Sequence, residues 1–475
     1  MSASDPVTLP EDSNPTTRGW VVPAIIGTAM LMQTLNATSI TNALPTMARA
    51  LDEDPLRLNL AITMFLLASA VFLPISGWVA DRFGAKRIFM VAMVLFALSS
   101  AACGFANNLG QLVLARIFQG MAGAMMAPVG RLVLLRTTPK SELVGAMSVL
   151  TMPALLGPVV GPVLGGAIVT FADWRWIFFM NLPVALVGVL LVRAYVPNVK
   201  EQAVSPIDGI GILLTGLGLA GLIFGFENLG RGTLAPWIVA TLFGGGAAAL
   251  IAYGFHARNN PHAVIDLTIF RLQTFTASVV GGAFMRIAMG ATPFLLAMLL
   301  QIGFGMSAFA AGTMTFVSAA GALVMKTTAP PILRRYGFRT VLIVNAVIVG
   351  LSFMAYGLFK PTTPHWIILT VLAIGGFFRS LQFTSLNGMA YAEVEQDRMS
   401  RASTTSSMAQ QLVQSIGIGI AATLLHGLMV AQGQTQMTAE TIAPAFVIVG
   451  AITFISLAFF IPLPRNAGDE MNGRT

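Results

Sequence analysis

Charge is what this chain has least of. Asp, Glu, Lys and Arg make up 10% of its 475 residues, against about a quarter in a soluble globular protein, whose surface must face water. Hydrophobic residues make up 56%, and the mean hydropathy is +0.79. Such a surface faces an apolar solvent, which is lipid. Cysteine is nearly absent: with Cys103 alone, neither an intrachain disulfide nor a cysteine metal cluster can form. The four histidines (His256, His262, His365 and His426) are scattered, with no ligand pair at helical spacing. No GxxxxGK[ST] loop is present, so the chain cannot hydrolyse ATP itself, and no loop is long enough to fold as a soluble domain. Intramembrane Ser/His pairs and paired aspartates are missing too, which argues against an enzyme. No metal or cofactor is expected. A net charge of +8 is compatible with nucleic acid binding, but no basic run is long enough to form the required patch.

What the chain does have is apolar length. Crossing the hydrocarbon core takes about 20 apolar residues as a helix. Stretches that qualify begin near Trp20, Leu58, Arg87, Leu109, Glu142, Trp174, Ile207, Pro236, Phe275, Ala308, Phe338, His365, Ser403 and Thr441. This predicts an all-α polytopic membrane protein of fourteen spans. Alternating ten-residue patterns are absent, which disfavours a barrel. The stretch from Trp20 to Met47 is too long for a signal peptide's apolar region and reads as a retained first span. Eighteen Lys and Arg residues, among them Arg82, Lys86, Arg87, Lys326, Arg335 and Arg339, fall in the terminal tails and the loops after even-numbered spans; five fall on the other side. By the positive-inside rule both termini are cytoplasmic. The six tryptophans all fall at span ends, where indole rings favour the headgroup boundary.

One short pattern occurs twice. Arg82-Phe83-Gly84-Ala85-Lys86 follows span two, and Arg335-Tyr336-Gly337-Phe338-Arg339 follows span ten. Both read Arg-aromatic-Gly-x-basic on the same side of the membrane, which implies a parallel duplication. Six-span halves would put the copies six spans apart. The separation is eight, so spans seven and eight are read as an insertion. The expected organisation is a tail (1–19), a six-helix half (20–197), two inserted helices (198–256), a second six-helix half (257–463) and a tail (464–475).

Four motifs carry a specific resemblance. Gly77-Trp78-Val79-Ala80-Asp81-Arg82-Phe83-Gly84-Ala85-Lys86-Arg87 resembles the span 2–3 loop of the major facilitator superfamily. Arg116-Ile117-Phe118-Gln119-Gly120 resembles its span-four RxxQG motif, and the run from Gly157 to Gly166 its fifth-helix antiporter motif. The segment Trp174 to Pro183 is similar to the span-six opening of the fourteen-helix drug:proton antiporters of the EmrB/QacA type. The resemblance covers Gly19 to Pro464. It implies a secondary transporter of the bacterial cytoplasmic membrane. That transporter would export amphiphilic small molecules by alternating access, as a monomer in lipid, with protons as the coupled ion.

Each motif also has a physical reading. Gly77 would allow close helix approach, and Asp81 could cap span three or latch one state, with Arg82, Gly84 and Arg87 completing the turn. Pro153, Gly157, Gly161 and Gly165 recur on one face of span five; small residues at that spacing permit tight contact in lipid, while Pro158 and Pro162 bend the helix. A static packing seam and a flexing interface both fit. Ionisable groups inside the membrane mark function by default. Arg116, Arg286 and Arg379 lie in spans four, nine and twelve, which with span one line the central cavity of the resembling family. Gln33, Asn36, Gln119, Gln382 and Asn387 are expected beside them as cavity residues. Relatives usually carry Asp at Asn36, and asparagine cannot exchange a proton near neutral pH. Asp81, Glu227 and Glu393 are the remaining protonation candidates. Arginines without a counter-charge favour anionic or neutral amphiphiles over cations. The rivals are a lipid, lysolipid or anionic-amphiphile transporter without proton exchange, and a membrane sensor or scaffold.

Overall fold

A computed structural model describes residues 21–137, 143–196, 208–228, 234–260, 263, 265, 267–395, 399–434 and 436–468. The surroundings of Gly77 and the side chains of Asp81, Pro158 and Glu227, which carried four of the expectations above, lie outside what is described, although all four backbones are helical. The long helices are α1 (Val21–Ala50), α2 (Leu60–Phe83), α3 (Ala85–Gly104), α4 (Leu109–Thr137), α5 (Leu143–Phe171), α6 (Trp176–Tyr195) and α7 (Gly209–Glu227). They continue as α8 (Pro236–Asn259), α9 (Gln273–Gly303), α10 (Ala308–Tyr336), α11 (Phe338–Tyr356), α12 (His365–Ala390), α13 (Met399–Ala431) and α14 (Ala439–Phe460). Among the described residues twelve helical segments are long and apolar enough to cross a membrane. Val159–Phe171 in α5 and Gly209–Gly225 in α7 are shorter apolar stretches.

The twice-used motif turns out to be one structural device. Gly84 and Gly337 are single-residue joints between α2 and α3 and between α10 and α11, with φ of 95° and 74°. Glycine reaches that region without Cβ strain. Each joint donates its N–H to a carbonyl four residues back, Gly84 to Ala80 and Gly337 to Leu333, both at 2.9 Å. The basic residue two positions on then reaches the end of a neighbouring helix. Lys86 Nζ donates to the Arg193 carbonyl at 2.9 Å at the end of α6, and Arg339 Nη2 to the Ile461 carbonyl at 2.8 Å just past α14. Last-turn carbonyls have no intrahelical partner and carry partial negative charge, so a cation suits them. This explains why both copies keep a basic residue at that position.

Helix pairing follows the same offset of eight. α1 packs on α5 and α9 on α13; α2 packs on α4 and α10 on α12. α3 lies against α4 and α6, while α11 lies against α12 and α14. Two further pairs, α5 with α10 and α2 with α13, join these sets. α7 packs on α8 and also touches α2 and α13. A single apolar cluster runs through residues of both sets near the C-terminal end of α1, including Ile40, Met47, Phe294 and Met298. Near the opposite end, Ile26, Phe89 and Val192 belong to one cluster and Ile269, Phe275 and Val394 to another.

The α1–α5 seam shows why the glycines of α5 are spaced by four. A Cβ at Gly157 would strike Thr34 and one at Gly161 would strike Thr38; at Gly165 it would strike the Ser39 backbone. In the space they leave, Thr38 Oγ1 donates to the Gly157 carbonyl at 3.2 Å, Ser39 Oγ to the Gly161 carbonyl at 3.0 Å, and Asn42 Nδ2 to the Pro162 carbonyl at 3.2 Å. Small residues therefore allow contact close enough for interhelical hydrogen bonds. Gly165→Ala is expected to lower stability by roughly 1–3 kcal/mol, because a backbone neighbour cannot rotate away. Gly244 in α8 faces open space, so Gly244→Ala is the control. Thermal unfolding in detergent measures both, and equal midpoints would contradict the seam.

Candidate functional site

The site is best built outward from Arg116. This guanidinium, on α4, is fully buried. Its Nη1 donates to Asn36 Oδ1 on α1 at 2.7 Å and to Gln119 Oε1, one turn along α4, at 2.6 Å. Its Nε donates to the Ala61 carbonyl of α2 at 3.2 Å, and its plane lies 4.1 Å from the centroid of the Phe65 ring. Gln119 Nε2 in turn donates to Ser100 Oγ on α3 at 3.0 Å, which also accepts from Asn181 Nδ2 on α6 at 2.8 Å. The RxxQG motif, the asparagine of the span-six motif and Asn36 thus form one network joining α1, α2, α3, α4 and α6. Arg116 Nη2 and Asn36 Nδ2 have no partner. Among the described residues no carboxylate pairs with Arg116, so its charge is met only by neutral dipoles.

A cavity of about 470 Å³ opens beside this network. α1 contributes Thr38, Thr41 and Asn42, α2 contributes Phe65, and α4 contributes Arg116. From the other set come Phe294 of α9, Ser318 and Lys326 of α10, Arg379 and Phe383 of α12, and Gln414 of α13. Most of the remaining wall is apolar, and among the described residues no Asp or Glu lines it. A chamber of this size, largely apolar with a few convergent polar groups, suits a drug-sized ligand. Arg379 Nη2 donates to Ser318 Oγ at 3.0 Å, and Lys326 Nζ to Thr384 Oγ1 at 3.4 Å. Among the described residues no group of three His, Cys, Asp or Glu side chains could hold a metal ion.

Of the arginines expected at the cavity, Arg116 and Arg379 line it and Arg286 does not. Arg286 is buried on α9, where its Nη1 donates at 2.7 Å to the Ser278 carbonyl in a wide π turn of the same helix. Its Nη2 lies 3.4 Å from Asn387 Oδ1, which also accepts from Gln410 Nε2 of α13 at 3.1 Å. Arg286 and Asn387 therefore tie three helices together. Gln382 is likewise turned away: its Oε1 accepts from Asn345 Nδ2 of α11 at 2.8 Å. Gln33 packs close to Gly123 of α4, and Asn36 and Gln119 stand behind Arg116 rather than in the wall. Glu393 is exposed and accepts from the Thr274 hydroxyl at 2.9 Å and its N–H at 3.3 Å, where a carboxylate complements the start of α9.

Lys326 is the residue that sequence reasoning misplaced. The count of Lys and Arg places it in the loop after span ten. Instead α10 runs on to Tyr336 and Lys326 lies inside the helix, in the cavity wall. The available signal was the distance to the Arg335-Tyr336-Gly337 joint, which is where the helix had to end. Arg82 and Arg87 are exposed at the α2–α3 joint, with Arg82 5.8 Å from the Trp78 ring centroid.

The comparisons with known proteins agree with this architecture. The sequence profile described as Major Facilitator Superfamily matches residues 26–418 and again 278–473. A protein of Salmonella newport (strain SL254) named "Putative multidrug resistance protein MdtD" is 37% identical over 443 residues, covering 93% of this chain and 92% of its own length. The protein of the same name from Salmonella typhimurium (strain LT2) matches to the same extent. Among solved structures, the POT family transporter PepTSo superposes with a TM-score of 0.69 at 12% identity, over 93% of this chain and 97% of that one. The D-xylose-proton symporter superposes with a TM-score of 0.66 at 14% identity, over 95% and 99%. At those identities the structures speak to the fold alone. The profile match and the Salmonella relatives carry the assignment: this chain is a polytopic membrane transport protein and belongs to the Major Facilitator Superfamily.

Proposed function

We propose that the protein is a fourteen-span exporter of amphiphilic small molecules, of the multidrug efflux kind named in its relatives, working by alternating access as a monomer in the bacterial cytoplasmic membrane. The observation that carries this reading is the cavity itself, which takes its wall from α1, α2, α4 and α5 together with α9, α10, α12 and α13. A chamber shared between two helix sets can present its contents to either side as the sets rock. The pairings repeated at an offset of eight, and a profile that matches a second time over 278–473, support two six-helix halves with α7 and α8 as the inserted pair. α5, with Gly157, Gly161 and Pro162, and its partner α10 would then form one hinge surface between the halves.

Energy coupling belongs to the same proposal. The resemblance implies proton antiport, and with Asn36 in place of the usual aspartate the titrating group would lie outside the described cavity wall, at Asp81, Glu227 or Glu393. A wall without a carboxylate among its described residues favours one rival, export of an amphiphile without proton exchange. Substrate-evoked proton flux in proteoliposomes separates the two. Topology supplies the wider test. Cysteine reporters at Arg87 and Arg335, in a Cys103→Ala background, are expected to react from the cytoplasmic face alone, since both flank the repeated joint. Reaction from opposite faces would remove the two-half architecture, and failure to move any amphiphile in proteoliposomes would remove the exporter.

A further inference from the structure

We propose that the cavity is an organic-anion site, in which Lys326 of α10 and Arg379 of α12 hold the acidic headgroup while Phe65, Phe294 and Phe383 pack the apolar body. The inference rests on the exporter reading for its cavity and goes further by naming the ligand's charge and the groups that read it.

Position is the first argument. Lys326 lies ten residues before the end of α10 and Arg379 eleven before the end of α12, which at 1.5 Å per residue puts them about 15 Å and 16 Å along their helices. Counted from the other end they lie eighteen and fourteen residues in, about 27 Å and 21 Å, so neither sits at a helix end. A lysine or arginine at a helix end can snorkel to the headgroups. From within its helix, in a cavity wall, it instead faces whatever the cavity holds.

Unmet hydrogen-bonding capacity is the second. Lys326 offers three donors and Arg379 five. Among the described residues each has one neutral hydroxyl partner, Thr384 Oγ1 for Lys326 and Ser318 Oγ for Arg379. Arg116, in the same wall, keeps an unpartnered buried Nη2. Three cations line one chamber with no carboxylate beside them among the described residues, and charges in a low-dielectric site are costly until an opposite charge arrives. An entering anion supplies that charge. An entering cation meets three like charges and no anionic acceptor. The geometry also divides the work, since a guanidinium fork accepts a carboxylate or sulfonate in a bidentate manner while the lysine acts as a compact point charge.

The test is direct binding, which does not require transport. Purified protein in nanodiscs of neutral phosphatidylcholine is titrated by fluorescence anisotropy with pyrenebutyrate, pyrenebutanol and pyrenebutyl-trimethylammonium, three probes that share an apolar body. Pyrenebutyrate is expected to bind about ten-fold or more tighter than the alcohol, as charge-assisted hydrogen bonds should give, and the ammonium weakest. Lys326→Gln and Arg379→Gln should each remove most of that preference while weakening the alcohol far less, and a monodisperse size-exclusion profile shows that the variants are folded. If either variant also loses the alcohol, the charge-retaining Lys326→Arg and Arg379→Lys decide, and they should keep the anion preference. Equal or tighter binding of the ammonium would overturn the proposal, as would an anion preference that survives the double glutamine variant. An anion preference without vesicle transport leaves this site standing and removes the exporter. Transport of the ammonium with no anion preference does the reverse.

Discussion

Arg116→Ala is expected to abolish transport and to lower stability by roughly 2–6 kcal/mol, the cost of two buried acceptors that each lose a donor. The residue is fully buried and supplies donors to Asn36 Oδ1 and Gln119 Oε1, at 2.7 and 2.6 Å. Alanine would leave both acceptors without that donor in a site that excludes water, at about 1–3 kcal/mol each. It would also empty the space above the Phe65 ring and remove one of the three cations of the cavity. Arg116→Lys keeps the charge but cannot hold α1 and α4 with a planar fork, so intermediate stability and reduced transport are expected. The measurement is substrate flux per folded protein in proteoliposomes, normalised by size-exclusion chromatography. If Arg116→Gln stays monodisperse and transports at the wild-type rate, Arg116 is only a helix tie.

How far the sequence exposes this site depends on the range of the interactions involved. Helices are dictated locally: in lipid a backbone must satisfy its own polar groups, so apolar length marks the starts of the long helices to within a few residues, whereas α10 runs on well past Lys326. The joints at Gly84 and Gly337 are equally legible, because a positive φ asks for glycine in any context. Arg116 and Gln119 were visible because a short motif on one helix face carries them together. Arg286 was not resolved from its neighbours. Its fate is set by the Ser278 carbonyl in a π turn and by Asn387 on a different helix, and neither contact can be inferred from a charged residue in an apolar run. Lys326 was hidden for the opposite reason. A lysine before Thr-Thr and Pro-Pro reads as a helix end, yet its helix continues for ten residues because Pro330 and Pro331 are accommodated within it. Charge in a membrane sequence identifies who is involved, and packing between helices decides who reaches the chamber.

Asn36→Asp tests that chamber's electrostatics with the smallest change available. The Asn36 carbonyl oxygen already accepts from Arg116 Nη1 at 2.7 Å, and the amide nitrogen that the substitution removes has no partner. A carboxylate can therefore take the same place without breaking a hydrogen bond, and the bond, already charge-assisted by the guanidinium, becomes an ion pair. Its main effect is on ligands. The new anion neutralises Arg116 from within and leaves Lys326 and Arg379 as the only uncompensated cations of the described wall. Pyrenebutyrate transport is expected to fall about ten-fold, equivalent to roughly 1.4 kcal/mol, while pyrenebutyl-trimethylammonium transport rises from its baseline. The substitution also restores a carboxylate where the resembling antiporters usually carry one, so substrate-evoked acidification or alkalinisation of proteoliposomes should grow relative to wild type. Both readouts come from the same vesicles, loaded with a pH-sensitive dye. Unchanged selectivity between the two probes would mean that Arg116 does not contribute to the field a substrate feels, and that the cavity's preference is set by α10 and α12 alone.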